Sequence, residues 1–124
     1  MIWTVAAALA GGFWTAPARA EQFAIQLIMV EEDGCIWCIR WNDDISEIYP
    51  KTAEGKFAPL RRVDLRNPDP ADLDLARTAF FTPTFILLRD DVELARIEGY
   101  PGEDFFWGLL GKMLKENTDF AGAS

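Results

Sequence analysis

The sequence Cys35-Ile36-Trp37-Cys38 holds both cysteines of this 124-residue chain, at C-x-x-C spacing. It follows an apolar run and begins a helix-like pattern. This spacing at a strand-to-helix junction is typical of a redox dithiol. A thiol at the start of a helix meets unpaired N–H groups and the positive end of the helix dipole, and both favour the thiolate. We therefore predict that Cys35 attacks a substrate sulfur and that Cys38, one turn further on, resolves the mixed disulfide.

Other uses of this cysteine pair are limited by composition. A structural disulfide stays open, but it would stabilise the fold little, because the loop-entropy gain is small for so short a loop. A zinc site needs four ligands, and without histidine or a third cysteine only carboxylates could complete it. The missing histidine also excludes a Cys–His hydrolase and C-x-x-C-H haem attachment. We expect no cofactor and no metal ion.

Composition and charge predict one acidic globular domain. Half of the residues are apolar and 13% are aromatic, which is enough for a hydrophobic core at this length. The net charge of −8 argues against a nucleic-acid partner, which would require a basic surface, and against anionic membranes. No segment indicates dimerisation, so we expect a monomer.

The first 20 residues are typical of a secretory signal. Residues 2–14 are uncharged and mostly apolar, and Pro17-Ala18-Arg19-Ala20 follows, with small residues at an A-x-A cleavage site. We predict cleavage after Ala20, with a signal peptide at 1–20, one domain at 21–124 and a periplasmic location. The n-region lacks Lys and Arg, so an uncleaved anchor or a misassigned start codon in a cytosolic protein stays open. The apolar run is short for a membrane span, which needs about 20 residues.

The segments around the dithiol predict a strand, a loop and a helix. The nearly continuous apolar run at 23–30 suits a central strand covered on both faces. The acidic residues at 31–33 form a loop that we expect to be solvated. A helix follows the first cysteine and ends at Pro50. Its apolar stripe comprises Trp41, Ile45, Ile48 and Tyr49.

The middle of the chain predicts a loop at 51–59, because of its Gly and Pro, and a short strand at 60–65 with Val63 inward. A helix is predicted from Asp69, which can cap its N-terminus, with Pro70 in the first turn. One side of this helix comprises Leu73, Ala76, Arg77 and Phe80.

The last third predicts a β-hairpin and a helix. Thr82-Pro83-Thr84 opens a strand at 85–88, a turn follows at Asp90-Asp91, and a second strand runs over 92–97. A helix at 103–115 has acidic residues at its start and lysines at its end, which suits its dipole. Its inward residues are predicted to be Phe106, Leu109, Leu110 and Met113. Residues 117–124 are predicted as a frayed tail. The order β-α-β-α-β-β-α requires an α/β fold with a mixed sheet of about four strands and helices on both faces.

Residues 23–114 resemble the thioredoxin-like superfamily. The resemblance rests on the strand before the dithiol, on the dithiol, on Thr82-Pro83-Thr84 and on Gly99 before the last helix. More narrowly, the chain is similar to the periplasmic thioredoxin-like proteins encoded with bacterial sulfur-oxidation (Sox) systems, the SoxS type. This likeness is carried by CIWCIRW at 35–41, IYPKTAEG at 48–55, APLR at 58–61, FTPTF at 81–85 and GYPG at 99–102.

The resemblance implies roles for the residues around the dithiol. In the superfamily the proline at the position of Pro83 is cis and faces the disulfide, and the backbone of the preceding residue, here Thr82, pairs with the substrate chain. An unpaired strand end beside a thiol can dock an extended peptide. An ordinary proline at a strand start is the alternative. Ile36 and Trp37 are predicted to contact the substrate from the tip beside the thiols, with Tyr100 nearby. The alternative is that Trp37 packs back on the core.

The SoxS-type resemblance implies that the dithiol reduces a cysteine-containing protein, the sulfur carrier of the Sox system, with a membrane thiol transporter as electron donor. A general periplasmic thiol reductant, for example in cytochrome c maturation, is the alternative enzyme. A thioredoxin-fold binding module whose disulfide only holds its loop is the non-enzymatic alternative.

The sequence departs from ordinary thioredoxin near the dithiol. Ile-Trp replaces the usual Gly-Pro, Gly34 stands where a tryptophan is usual, and Met29 replaces the buried aspartate. In the parent family that aspartate helps move the proton of the resolving cysteine, so its absence questions such assistance here. With no histidine between the cysteines to stabilise a thiolate, we predict a mild reductant rather than a strong oxidant.

Overall fold

The computed structural model describes residues 11–12, 25–67 and 74–122. Its regular elements are β1 (Ile25–Glu31), α1 (Ile36–Trp41), α2 (Ala53–Phe57), β2 (Leu60–Asp64), β3 (Thr84–Arg89), β4 (Val92–Glu98) and α3 (Glu103–Asn117). Among these residues no helix is long and apolar enough to cross a membrane. The predicted signal at 1–20, except residues 11 and 12, and the predicted helix start at Asp69 lie outside the described part.

The sheet has four strands in the order β2-β1-β3-β4. β1 is parallel to β2, with Leu27 opposite Leu60, and antiparallel to β3, with Val30 opposite Thr84. β3 and β4 form the predicted hairpin. Because β1 lies between two strands and is covered on both faces, its middle residues are all buried, as its apolar run predicts. The mixed sheet with its helices confirms the predicted thioredoxin-like fold class.

The hairpin turn is made by two aspartates in an unusual backbone conformation. Asp90 and Asp91 have φ angles of 50° and 66°. Two successive residues with positive φ are typical of turns whose twist matches that of the flanking strands, and Asp tolerates this region better than most residues. The turn predicted at these positions is therefore present.

An aromatic cluster fills the larger core, on the face of the sheet that carries α1 and α3. The ring of Trp41 lies 5.3 Å from that of Phe85 and 5.8 Å from that of Phe106, between centroids, and all three residues are fully buried. Such tilted and edge-on pairs stabilise a core beyond the area they bury. Since Trp41 follows Cys38 by one turn, this cluster fixes the orientation of the helix that carries the dithiol.

The chain after Trp41 differs from the single helix that the sequence predicts. α1 continues as a π-helix over Asn42–Ser46, and a short 3-10 helix over Tyr49–Lys51 includes Pro50. Ile45 and Tyr49 are buried as predicted, but Ile48 is exposed. The change of helical period rotates Ile48 away from the core, so its assignment to the stripe was wrong.

The predicted loop at 51–59 contains the short helix α2. Thr52 caps it, because its Oγ1 accepts the N–H of Gly55 at 3.0 Å and donates to the carbonyl of Tyr49 at 2.7 Å. The Tyr49 hydroxyl in turn donates to the carbonyl of Ala58 at 2.6 Å. These bonds compensate for the low helix propensity of glycine. The prediction of a loop is therefore wrong at Ala53–Phe57.

Gly55→Ala tests this close packing. A Cβ at Gly55 would lie 1.8 Å from the carbonyl oxygen of Tyr49, whereas nothing lies within 4 Å of one at Gly108 in α3. We expect Gly55→Ala to lower the free energy of unfolding by about 1–3 kcal/mol. The matched Gly108→Ala should raise it by about 0.5–1 kcal/mol, because glycine is unfavourable inside a helix. Urea denaturation measures both, and equal effects would contradict the predicted contact.

The second face of the sheet is covered by a segment that is not helical where a helix is predicted. Residues 74–80 have a bend at 76–77 and an isolated β-bridge between Asp74 and Val92, and the others have no regular secondary structure. Phe80 is exposed. This segment is held against the β3–β4 hairpin: the Asp74 N–H donates to the carbonyl of Asp91 in the turn at 2.8 Å, and Glu93 Oε1 in β4 accepts the Ala76 N–H at 3.1 Å. Strand groups therefore satisfy the backbone that a helix would have paired internally.

The C-terminal part is more ordered than predicted. α3 buries Phe106, Leu110 and Met113 as expected, and also Leu114, but Leu109 is exposed. Beyond the helix, the ring of Phe120 is buried 5.2 Å from that of Phe57, between centroids. The tail is thus anchored as far as this residue, and the prediction of fraying is wrong there.

Candidate active site

The strand register brings the dithiol and the proline segment to one edge of the sheet. Val30, near the end of β1, lies opposite Thr84, the first residue of β3. The loop to Cys35 and the segment before Thr84 therefore leave the sheet side by side. The Thr82–Pro83 peptide bond is cis, and the Pro83 carbonyl accepts the Gly99 N–H at 2.8 Å.

The two cysteines form a disulfide at the N-terminus of α1. Cys35 is the N-cap residue, and its Sγ accepts the Cys38 backbone N–H at 3.1 Å. Cys38 is only 3% exposed, whereas Cys35 is half-buried. An anionic sulfur at the position of Cys35 would accept this N–H and meet the positive end of the helix dipole. The arrangement favours the thiolate at the more accessible of the two sulfurs.

The residues between and beside the cysteines form an apolar tip. Ile36 is 59% exposed and Trp37 is 49% exposed. The guanidinium carbon of Arg40 lies 4.9 Å from the centroid of the Trp37 ring, so the ring is held by a cation–π contact rather than by the core. Tyr100 does not belong to this tip: it is buried, and its hydroxyl donates to Asp44 at 2.7 Å.

The acidic loop before the dithiol is more structured than the predicted solvated loop. Glu31 forms an ion pair with Arg62, and Glu32 accepts a hydrogen bond from the Thr82 hydroxyl at 3.0 Å. Gly34 has a φ angle of 80°, a region that favours glycine over residues with a Cβ. The tight turn into Cys35 therefore explains the glycine in place of the usual tryptophan.

Arg62 is a central residue that the sequence analysis missed. It lies opposite Met29 in the β1–β2 register, 3.6 Å from the Met29 sulfur. Its guanidinium also donates to Asn42 Oδ1 and Ser46 Oγ, both at 2.8 Å, and lies 5.8 Å from the Trp41 ring centroid. Arg62 thus ties the π-helix to the sheet. Pairing the two predicted parallel strands in register would have placed it beside Met29.

A solved structure decides the family. The periplasmic thioredoxin SoxS from Paracoccus pantotrophus, in its reduced form, is 49% identical to this chain, with a TM-score of 0.72. The match covers 74% of this chain and 97% of SoxS. The chain belongs to the SoxS-type thioredoxins. No protein-family model matches it, and a search of curated proteins gave no match.

More distant structures share the fold of this SoxS-type thioredoxin. Fasciola hepatica thioredoxin is 18% identical, with a TM-score of 0.54, and the match covers 72% of this chain and 80% of that one. Chlamydomonas reinhardtii thioredoxin f2 is 14% identical, with a TM-score of 0.53, covering 76% and 82% respectively. With a C-x-x-C disulfide on this fold, the SoxS-type thioredoxin is a thiol:disulfide oxidoreductase. The individual roles of Cys35, Cys38, Ile36, Trp37, Thr82 and Pro83 stay predictions.

Proposed function

We propose that this protein is a periplasmic reductant that keeps a sulfur-carrier protein of sulfur oxidation in its active, reduced form. The observation that carries the proposal is the asymmetry of the dithiol: Cys35 is accessible at the helix N-cap, and Cys38 is buried behind it. A nucleophile must reach the substrate, whereas a resolving thiol need reach only the mixed disulfide.

The proposed reaction transfers two electrons from the dithiol to the substrate. The Cys35 thiolate attacks one sulfur of the substrate disulfide, and the other substrate sulfur leaves as a thiolate. The Cys38 thiolate then attacks Cys35 Sγ, which forms the Cys35–Cys38 disulfide and releases the first substrate sulfur, also as a thiolate. A membrane thiol transporter is the proposed source of electrons that restores the dithiol.

The backbone of Thr82 is the proposed docking point for the substrate chain. Within the described residues, its N–H and C=O form no hydrogen bond with another backbone group. An extended peptide that passes Cys35 can pair with them as an added strand. Ile36 and Trp37 would then contact the residues that flank the substrate cysteine, and the exposed apolar area of the tip supports this role.

The surroundings of Cys35 support a mild reductant. The basic residue of α1 is Arg40, which lies in the last turn and not beside Cys35. The chain has no histidine. Stabilisation of the thiolate thus rests mainly on the helix N-terminus, and a less stabilised thiolate makes the dithiol more reducing. A measured Cys35 pKa near 4, with a strongly oxidising potential, would contradict this direction.

Location and partner rest on the relative and on the N-terminal sequence. The SoxS relative is described as periplasmic, and residues 1–20 have the pattern of a cleavable export signal. An oxidising compartment is where a wrongly oxidised carrier cysteine needs a dedicated reductant. A Cys-containing sulfur carrier is therefore the proposed substrate, and a monomer is the proposed state.

Trapping with Cys38→Ser tests this function. Without the resolving thiol, the mixed disulfide between Cys35 and its substrate should persist, because exchange stops after the first step. We expect one dominant adduct, the sulfur carrier, after expression in the native periplasm and mass spectrometry. Cys35→Ser/Cys38→Ser is the control for disulfides that form without either thiol.

The other outcomes separate the alternatives. A broad mixture of adducts, or mainly cytochrome c apoproteins, would indicate a general thiol reductant. An exported and folded variant that forms no adduct would indicate a binding module.

A further inference from the structure

Glu32 contacts both halves of the active site. Its backbone carbonyl accepts the N–H of Cys35 at 3.3 Å. Its carboxylate Oε1 accepts the hydroxyl of Thr82, the residue before the cis proline, at 3.0 Å. Thr82 lies 50 positions further along the chain, so this one residue joins two segments that are distant in sequence and meet only at the edge of the sheet.

The Glu32–Thr82 bond lies where the sheet no longer holds these segments together. The β1–β3 register has its last pair at Val30 and Thr84. β1 ends at Glu31 and β3 begins at Thr84, so Glu32 and Thr82 both lie outside the strands. A hydrogen bond to an ionised carboxylate is about twice as strong as one between neutral groups. The second carboxylate oxygen of Glu32 lies 3.7 Å from Nε of Arg66, which is largely exposed, so this ion pair contributes little on its own.

A threonine has few side-chain torsions, so fixing its hydroxyl fixes the orientation of its backbone. β-Branched residues strongly restrict χ1, and the Thr82 hydroxyl accordingly couples the carboxylate to the peptide groups on either side of Thr82. The position of the Thr82 backbone, which is proposed to dock the substrate, is thereby fixed relative to the loop that positions Cys35. A disulfide too small to pair with Thr82 would gain nothing from this arrangement.

We propose that Glu32 is a positioning residue that sets the docking backbone of Thr82 relative to Cys35 and so favours peptide disulfides over small ones. The proposal rests on the proposed function, since it assigns specificity to the same site. It identifies the substrate by its chemistry, as a cysteine in an extended polypeptide whose backbone can pair at Thr82.

Glu32→Ala, Glu32→Gln and Thr82→Val test the proposal with two substrates. The insulin disulfide represents a peptide and is assayed with dithiothreitol as reductant. The small disulfide is 5,5′-dithiobis(2-nitrobenzoate), assayed by single turnover of the pre-reduced protein after the dithiothreitol has been removed, because dithiothreitol would reduce it directly. We expect Glu32→Ala to raise KM for insulin about 3- to 10-fold, the effect of one lost hydrogen bond, with little change in kcat. Its rate with the small disulfide should stay within about twofold, and Glu32→Gln, which keeps an acceptor oxygen, should recover most of the loss.

Asp33→Ala is the matched control, because Asp33 is an exposed neighbour of the same charge, and it should match the parent with both substrates. In a double-mutant cycle, Glu32→Ala/Thr82→Val should be no worse than either single variant. Additive losses, equal losses with both disulfides, or unchanged kinetics in Glu32→Ala would each overturn the positioning role. Failure of the proposed function would look different: it would appear as a broad mixture of adducts in the Cys38→Ser trapping experiment, or as a parent protein that reduces neither disulfide.

Discussion

Cys35→Ser should reduce catalysed thiol–disulfide exchange to the rate of the assay mixture without protein. A serine hydroxyl is not ionised near neutral pH and does not attack sulfur, so neither the helix N-terminus nor the docking backbone can compensate for it. Cys38, which is 3% exposed, is too buried to replace Cys35 as the attacking thiol. Insulin reduction with dithiothreitol measures the loss.

Cys38→Ser should behave differently from Cys35→Ser, although both lack the disulfide. It retains the attacking thiol and should complete one round of attack, visible as one equivalent of chromophore released from 5,5′-dithiobis(2-nitrobenzoate). With a peptide disulfide, the variant should stop at the mixed disulfide between Cys35 and the peptide, because the resolving thiol is missing. If Cys35→Ser forms the adducts instead, the assignment of nucleophile and resolving thiol is reversed.

Glu93→Ala should lower the free energy of unfolding far more than the replacement of a surface glutamate. Glu93 and Arg96 form an ion pair whose side chains are 4% and 5% exposed, with Arg96 Nε donating to Glu93 Oε2 at 2.7 Å. Removing one partner of a buried pair leaves the other charge unpaired, at a cost of about 3–5 kcal/mol. The variant also loses the acceptor for the Ala76 N–H. Urea denaturation at neutral pH measures the change.

Glu98→Ala is the matched control, because Glu98 pairs with Arg77 at the surface. An exposed ion pair contributes about 0–1 kcal/mol, so this variant should remain close to the parent. A double replacement, Glu93→Leu/Arg96→Leu, should recover part of the loss, because it removes both buried charges. Similar effects of Glu93→Ala and Glu98→Ala would show that burial of the first pair contributes little.

The same pair predicts how stability depends on pH. Burial raises the pKa of Glu93, but the hydrogen bonds from Arg96 and Ala76 and the charges of Arg96 and Arg77 outweigh it, so its pKa is lowered. The ionised form is therefore favoured by folding. Its stabilisation should be complete above the unfolded glutamate pKa of about 4.3 and be lost as the pH falls through the lower folded value. The stability difference between the parent and Glu93→Gln should accordingly shrink on acidification, and a constant difference would contradict this origin.

Elements with a clear pattern of apolar residues were predictable from sequence, whereas elements held by contacts with distant residues were not. The apolar run of β1 and the stripe of α3 follow directly from burial on one or both faces. Residues 74–80 have helical spacing, but Glu93 and Arg96 bind their backbone: Glu93 accepts the Ala76 N–H, and Arg96 donates to the carbonyl of Arg77 at 2.7 Å. Long-range partners of this kind are invisible to a local pattern.

The candidate site was predictable in its residues but not in its connections. C-x-x-C spacing identifies the dithiol segment by residue type, whereas the segment with Thr82 and Pro83 is identified by the resemblance to thioredoxins. The contacts of Glu32 with Thr82 and of Arg62 with Asn42 and Ser46 depend on register and side-chain conformation. Residues that a charge pattern assigns to solvent can therefore link the parts of a site.

The π-helix at 42–46 has a consequence for chain length within this family. A π turn amounts to one residue inserted into an α-helix, and deleting that residue would turn whatever follows by about 100° about the helix axis. Here Trp41, before the insertion, and Ile45, within it, both reach the core. A relative with one residue fewer in this segment can keep its dithiol in place only by repacking Ile45 and the partners of Arg62. A single-residue gap at 42–46 in an alignment would thus mark a change in the support of the active-site helix, and not merely a tolerated loop deletion.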